Sequence, residues 1–234
     1  HDCLRLAYHG DDKLYVPVEN LDVLSRYGSA DAEAALDRLG GAAWQGRKAK
    51  AKKRLRDMAE ALMQIAAARA LREGRAVHNP DGLYHEFAAR FPYSETEDQL
   101  RAIESVFDDL ASGRPMDRLI CGDVGFGKTE VALRATFAAT IGGGMQVAVA
   151  APTTLLARQH FKTFSERFKG LPVKVAQLSR FVTTKEANET KAAMQKGEID
   201  IVVGTHALFG PGVAFQDLGL LIVLEEQPFG VKQT

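Results

Sequence analysis

The stretch that decides the fold is Gly122-Asp123-Val124-Gly125-Phe126-Gly127-Lys128-Thr129. It matches the spacing G-x-x-x-x-G-K-T, and it lies between a short apolar segment that predicts a strand, 118–121, and a pattern that predicts a helix, 129–141. Glycines at these positions let successive backbone N–H groups point at phosphate oxygens, and the following helix adds its positive N-terminal end. The stretch is therefore interpreted as a phosphate-binding loop rather than a chance glycine-rich turn.

Side chains in and near this loop suit a nucleoside triphosphate. Lys128 is expected to reach the β- and γ-phosphates of ATP, and the hydroxyl of Thr129 is expected to ligate Mg²⁺. Upstream, Thr96 and Gln99 have the spacing of a capping box at the start of a helix, which gives Gln99 a structural role. Alternatively, Gln99 contacts the adenine edge while Phe91 lies beside the base, and both interpretations stay open.

Strands and helices alternate from residue 77 onward. Because strands that are apolar throughout need cover on both faces, the alternation predicts an α/β fold in which helices cover both faces of a parallel sheet. The apolar face of the helix that follows Thr96 is predicted to be Leu100, Ile103, Phe107 and Leu110. The further predicted strands are 146–151, 173–178, 199–203 and 220–224, and the further predicted helices are 154–169 and 184–196.

The first 76 residues have a different pattern. The β-rich runs 3–8 and 13–18 flank the turn-forming segment 9–12, which predicts a hairpin. A long helix is predicted over 42–72, with Gly74 as its C-terminal stop. One apolar stripe along this helix is predicted to lie against another surface; its residues are Trp44, Ala51, Leu55, Met58, Leu62 and Ile65.

The first half of that long helix is strongly basic, with no acidic residue among its cations. Two interpretations stay open for it: a solvated helix face, or a patch that contacts phosphates or docks a partner. The cations are Arg47, Lys48, Lys50, Lys52, Lys53, Arg54 and Arg56.

Composition limits the class of protein. A hydrophobic fraction of 46% and a charged fraction of 26%, with no apolar run near the length of a membrane span, predict a soluble protein without membrane contact. Thirty basic and thirty acidic residues leave nucleic-acid binding to local patches. Cys3 and Cys121 lie far apart, which argues against a disulfide framework and suggests a cytoplasmic location. The chain starts without methionine, so we expect it to be a piece of a longer protein.

Four segments together resemble the bacterial transcription-repair coupling factor (Mfd) family. They are residues 116–132 around the phosphate loop, 151–160, 178–181 and 204–208, in the order of superfamily-two helicase motifs. RecG-like branched-DNA helicases share these motifs and are the nearest alternative. The segments 13–18 and 24–27 resemble the end of the RNA-polymerase-interacting domain, which RecG lacks, and they favour the coupling factors.

The resemblance implies an ATP-dependent translocase on double-stranded DNA that binds stalled RNA polymerase and couples transcription to excision repair. It implies a partial polymerase-interacting β domain (1–28, toward the β subunit), a linking helix (29–76) and a RecA-like first motor lobe (77–234). Excision-repair proteins would bind only parts outside this chain, and a second lobe is expected elsewhere. The resemblance also favours Gln99 and Phe91 as base contacts, and the residues that it places along DNA are Thr153, Arg158, Thr205 and His206.

The sequence departs from the family where the Walker B aspartate belongs. Leu224 precedes Glu225, whereas the family has Asp-Glu-Glu, and Pro228 also departs from its pattern. Leucine has no oxygen to hold Mg²⁺, although Glu225 matches the water-activating glutamate. Two hypotheses follow: the segment belongs to a working motor, or it is a module that binds nucleotide and polymerase without hydrolysis. The chain alone is expected to hydrolyse ATP poorly.

Overall fold

The polypeptide divides into two compact units, residues 1–68 and 69–234. The structure is a computed structural model that describes residues 2–25, 38–39, 42–123 and 125–224. None of the helices in these ranges is long and apolar enough to cross a membrane.

The first unit contains the predicted hairpin. Strand β1 (Cys3–Ala7) pairs antiparallel with strand β2 (Lys13–Pro17). The turn between them uses left-handed backbone at Gly10 and Asp11, with φ of 82° and 64°, a conformation that glycine and aspartate tolerate better than most residues. A short 3₁₀ helix, Val18–Val23, follows β2 directly. The hairpin prediction is therefore confirmed.

The long helix α1 spans Ala42–Ala70, close to its predicted bounds. Alanine, lysine, arginine and leucine favour helix regardless of packing, so composition explains why it forms. The prediction that its apolar stripe lies against another surface is wrong for the described residues. Trp44, Leu55, Met58, Leu62 and Ile65 remain 54–65% exposed. The seven cations are exposed as well, so both interpretations of the basic segment stay open.

The second unit is built on a four-stranded parallel sheet, which confirms the predicted fold class. Its strand order is β4-β5-β3-β6, and each neighbouring pair is parallel. The strands are β3 (Gln146–Ala150), β4 (Val175–Leu178), β5 (Ile201–Gly204) and β6 (Leu218–Val223).

Side chains alternate between the two faces of this sheet, and both faces are buried. Val147 and Val203 belong to a core cluster with the rings of Phe87, Phe137 and Phe164. On the opposite face, Ala148, Val202 and Met194 belong to a second cluster. The helices are α2 (Asp81–Ala89), α3 (Glu97–Ala111), α4 (Lys128–Phe137), α5 (Thr154–Arg167) and α6 (Thr184–Gln195).

Two local predictions are wrong. Residues 118–121 form no strand with any described residue, and Leu119 is 78% exposed. Arg118 explains the difference, because its guanidinium binds the Asp109 carboxylate at 2.6 and 3.0 Å and holds the segment beside α3. On α3, Leu100 is half exposed, whereas Val106, which the prediction omitted, is buried beside Ile103.

Candidate nucleotide-binding site

The phosphate loop has the backbone that its glycines predict. Gly125 and Gly127 have φ of 87° and 73°, in the left-handed region where a side chain would be strained. Gly127 is the N-cap of α4, so the loop ends at the positive end of that helix. Gly122, Asp123 and Phe126 are exposed, whereas Val124 lies outside the described residues. The loop is therefore accessible to a ligand.

Lys128 lies across this loop. Its Nζ donates to the carbonyl oxygens of Gly122 at 2.6 Å and Asp123 at 2.8 Å. An ammonium group has three N–H donors, so one remains for a phosphate oxygen even in this arrangement. Thr129 follows in the first turn of α4 and is half-buried. Both side chains lie at the start of α4, beside the loop, and their roles toward phosphate and metal stay predictions.

Gln99 contributes to both the helix cap and the loop. The predicted capping box is confirmed, because the Thr96 N–H donates to Gln99 Oε1 at 2.9 Å and the Gln99 N–H donates to Thr96 Oγ1 at 3.2 Å. Gln99 Nε2 also donates to the Phe126 carbonyl at 2.9 Å. A Cβ atom at Gly127 would collide with this amide. The adenine contact of Gln99 stays a prediction.

Phe91, the second predicted base contact, is half-buried at the start of the segment that leads to Gln99. Its ring makes an edge contact with Tyr93, with 5.5 Å between the centroids. The guanidinium of Arg167 lies 5.8 Å from the centroid of Phe91. The structure therefore places Phe91 in contact with α5, and its role toward a base stays a prediction.

A buried ionic network behind the loop was not predicted. Arg134 on α4 donates from Nε to Glu130 Oε1 at 2.5 Å, from Nη1 to Tyr84 Oη at 3.0 Å, and from Nη2 to Glu95. Arg167 on α5 donates to the same Glu130 oxygen at 2.7 Å. The side chains of Arg134 and Glu130 are only 3% and 2% exposed. Two cations and two carboxylates thus balance one another inside the fold.

The network shifts the protonation equilibria of its members. The hydrogen bond from Arg134 lowers the pKa of Glu95. Burial opposes the charge of Arg134, but hydrogen bonds with Glu130, Tyr84 and Glu95 outweigh it and raise the pKa of the guanidinium. Burial dominates at Arg167 and lowers its pKa. Both arginines stay charged at neutral pH, because the guanidinium is a very strong base.

One sequence signal could have revealed this network. Glu130 and Arg134 stand four residues apart inside an otherwise apolar helix, where opposite charges face one another. Their spacing indicates a pair within α4. The partners Tyr84, Glu95 and Arg167 lie 33 to 50 residues away in sequence and have no spacing rule that connects them to α4.

The residues predicted to contact DNA follow the carboxyl ends of parallel strands. Thr153 follows β3 and caps α5, accepting a hydrogen bond from the Leu156 N–H at 3.2 Å. Thr205 and His206 follow β5, the first buried and the second exposed. The carboxyl ends of neighbouring parallel strands lie at one edge of the sheet, so these residues share that edge. Their contacts with DNA stay a prediction.

Arg158, the fourth of these residues, lies on the exposed side of α5. Its guanidinium is 6.0 Å from the ring centroid of Phe181, an exposed aromatic residue that follows β4. Phe181 belongs to the segment 178–181 that resembles the coupling factors. Its exposure next to an arginine was not predicted, since the two residues are 23 apart in sequence.

At the position where the family has an aspartate, the structure has a buried hydrocarbon side chain. Leu224 belongs to the core cluster, and its N–H donates to the Ala150 carbonyl at 2.8 Å. Among the described residues, no three His, Cys, Asp or Glu side chains come together as a metal site. Glu225 and Pro228 lie outside the described residues, so the water-activating role of Glu225 stays a prediction.

Comparisons with known proteins agree with these features. The DEAD/DEAH box helicase family matches residues 96–233, and the CarD-like/TRCF RID domain matches residues 1–28. The chain is 50% identical to the transcription-repair-coupling factor of Bacillus subtilis (strain 168) over 98% of its length and 20% of that protein. It is 49% identical to the factor of Escherichia coli (strain K12), again over 98% of the chain and 20% of that protein.

A solved structure is similar to a large part of this chain. The structure of RecG bound to a three-way DNA junction has a TM-score of 0.66 and 37% identity, covering 72% of this chain and 23% of that one. The chain spans about a fifth of the length of the curated relatives that it matches. Because the helicase family matches more than half of its residues, the chain belongs to the DEAD/DEAH box helicase family.

Proposed function

We propose that this chain is the ATP-binding part of a double-stranded DNA translocase that binds stalled RNA polymerase and couples transcription to nucleotide-excision repair. The observation that supports this proposal most is the match to transcription-repair-coupling factors at 50% identity over 98% of the chain. The domain match over residues 1–28 supports contact with RNA polymerase, with the β subunit as its expected surface. The excision-repair proteins would bind parts of the protein outside these residues.

The nucleotide would lie between the phosphate loop and the segment that leads into α3. The loop N–H groups and the free N–H of Lys128 would hold the triphosphate, while Gln99 and Phe91 would hold the adenine. Mg²⁺, when bound, would neutralise charge on the β- and γ-phosphates. The hydroxyl of Thr129 would hold that ion, since it is an oxygen donor in the first turn of α4.

Hydrolysis by this chain would be weak. Glu225 would polarise the attacking water, but Leu224 offers no oxygen to the metal and its side chain is buried in the core. This arrangement favours nucleotide binding over turnover in the chain itself.

Duplex DNA would lie along the sheet edge where Thr153, Thr205 and His206 follow their strands, with Arg158 on the adjoining helix. Hydroxyls, loop amides and a cation can hold phosphates without selecting sequence, which suits a translocase. The similarity to RecG, solved with a three-way DNA junction, supports an interaction with DNA.

Lys128→Ala tests nucleotide binding. Removing a charge-assisted contact is expected to weaken ATP binding about 10- to 100-fold in equilibrium titration. Lys162→Ala is the matched control, since Lys162 is an exposed lysine on α5 whose salt-bridge partner is the neighbouring Glu166. Unchanged ATP affinity in Lys128→Ala would contradict the proposal.

Leu224→Asp tests whether the chain is a motor that lacks only its metal ligand or a module that binds nucleotide without hydrolysis. The aspartate is expected to strengthen Mg²⁺-dependent ATP binding about tenfold and to raise phosphate release, because it adds a charged oxygen donor. Leu224→Asn introduces a side chain of the same size as aspartate but without its charge. This variant is expected to behave like the unmodified chain. Equal phosphate release in all three proteins would show that the missing aspartate does not limit turnover.

Tyr15→Ala tests the polymerase contact. Tyr15 on β2 is exposed, and its loss is expected to reduce capture by purified RNA polymerase about tenfold, since exposed aromatic residues often dominate interfaces. Tyr93→Ala, an exposed tyrosine of the second unit, is the control and is expected to bind normally. Equal capture of both variants would remove the hairpin from the proposed interface.

A further inference from the structure

The buried ionic network connects α4, which begins in the phosphate loop, to the segment proposed to hold the base. Arg134 uses its three nitrogen atoms on three different partners: Glu130 of its own helix, Tyr84 of α2, and Glu95 immediately before the cap of α3. A guanidinium presents its donors in a rigid planar fork. Once Arg134 is buried, the directions of its three contacts are therefore fixed together.

Arg167 extends the network to the other end of that segment. It donates to Glu130 at 2.7 Å and to the Phe87 carbonyl at 3.2 Å. Its guanidinium stacks over the Phe87 ring at 4.8 Å from the centroid and reaches the Phe91 ring at 5.8 Å. Phe91 thus contacts one cation of the network, while Glu95 contacts the other.

The two contacts enclose the residues proposed to touch the base. Glu95 directly precedes Thr96, whose hydroxyl accepts from the Gln99 backbone at 3.2 Å. From this capped turn the Gln99 amide reaches the Phe126 carbonyl of the phosphate loop at 2.9 Å. A shift of Glu95 would move the cap, and the cap fixes the start of the Gln99 side chain.

We propose that Glu95 and Arg134 are positioning residues for the adenine end of the nucleotide site. This inference rests on the proposed function, in which Gln99 and Phe91 hold the base. Neither Glu95 nor Arg134 needs to touch the nucleotide: the arginine fixes the carboxylate against α4, and the carboxylate fixes the turn that presents Gln99. Their loss therefore weakens recognition of the base and spares recognition of the phosphates.

The test compares ATP with inorganic tripolyphosphate, which lacks the base, as ligands of the whole chain in the presence of Mg²⁺. Glu95→Ala is expected to bind ATP about tenfold more weakly and tripolyphosphate with unchanged affinity. Glu95→Gln keeps an oxygen acceptor for Arg134 and is expected to recover part of the ATP affinity. Tyr84→Phe is the control: it removes the arm of the network toward α2 and is expected to bind both ligands normally.

Equal weakening of both ligands by Glu95→Ala, or of neither, overturns the inference, as does an ATP-specific loss in Tyr84→Phe. If Glu95→Ala does not fold, Glu95→Gln replaces it, with a smaller expected loss of ATP affinity and again an unchanged affinity for tripolyphosphate. Lys128→Ala distinguishes failure of the positioning role from failure of the proposed function. If it weakens both ligands while Glu95→Ala weakens neither, only the positioning role fails; if it weakens neither, the proposed function fails.

Discussion

Helices α1 and α4 both combine charged with apolar residues, yet their side chains have opposite environments. Every residue of α4 from Glu130 to Phe137 is buried, including two charged ones. On α1, both the seven cations and the large apolar side chains such as Met58 and Leu62 are exposed. Amino-acid type alone therefore does not decide which side chain is buried.

Partners decide it. A buried charge is tolerated when opposite charges and hydrogen bonds replace its hydration, and Arg134 finds these on three sides. The cations of α1 are exposed and remain hydrated. Periodicity shows which residues share a face, but the elements around a helix determine whether that face is buried.

Arg134→Ala should produce the largest loss of stability, because it leaves Glu130 and Glu95 without their shared cation. We expect the free energy of unfolding to fall by about 3–5 kcal/mol, measured by urea denaturation with circular dichroism. Arg101→Ala, which removes an exposed arginine paired with Asp98, should change it little. Similar losses in the two variants would mean that burial does not distinguish these charges.

Ile103→Ala and Leu100→Ala compare two apolar residues of α3 that the sequence pattern treats alike. Ile103 is 4% exposed and Leu100 is 50% exposed. Ile103→Ala should therefore lower the free energy of unfolding by about 2–5 kcal/mol, and Leu100→Ala by clearly less. If urea denaturation gave equal losses, the predicted apolar face would be right and the described exposure of Leu100 would be wrong.

Thr96→Ala should have an intermediate effect. It removes the hydroxyl that caps α3, which should reduce the free energy of unfolding by about 1 kcal/mol. Thr96→Ser keeps the hydroxyl and should restore most of the stability. Hydrogen exchange of the first amides of α3 would check the location of the effect, and unchanged exchange in Thr96→Ala would contradict it.

Met58→Ala should have the smallest effect. Its side chain is 61% exposed on α1, and alanine favours helix at least as well as methionine. The free energy of unfolding should change by no more than about 0.5 kcal/mol. The fluorescence of Trp44, the single tryptophan of the chain, can follow α1 during denaturation. A loss of several kcal/mol would show that the apolar stripe is covered.

Local and periodic features were predictable from the sequence. The hairpin, each single strand of the sheet, the helix cap at Thr96 and the phosphate loop depend on residues within a few positions of one another. Features that depend on distant residues were not. Arg118 turns toward Asp109 instead of continuing a strand, and the partners of Arg134 come from α2 and from the segment before α3.

The Gln99 amide leaves no room for a side chain at position 127, and this limits how the loop can evolve. Any side chain at position 127 would strain the backbone and displace the amide of Gln99. One substitution would thus disturb both the loop proposed to bind phosphate and the glutamine proposed to contact the base, although the two positions stand 28 residues apart. We expect position 127 to remain glycine even where position 99 changes, because the left-handed backbone at 127 does not depend on the side chain at 99.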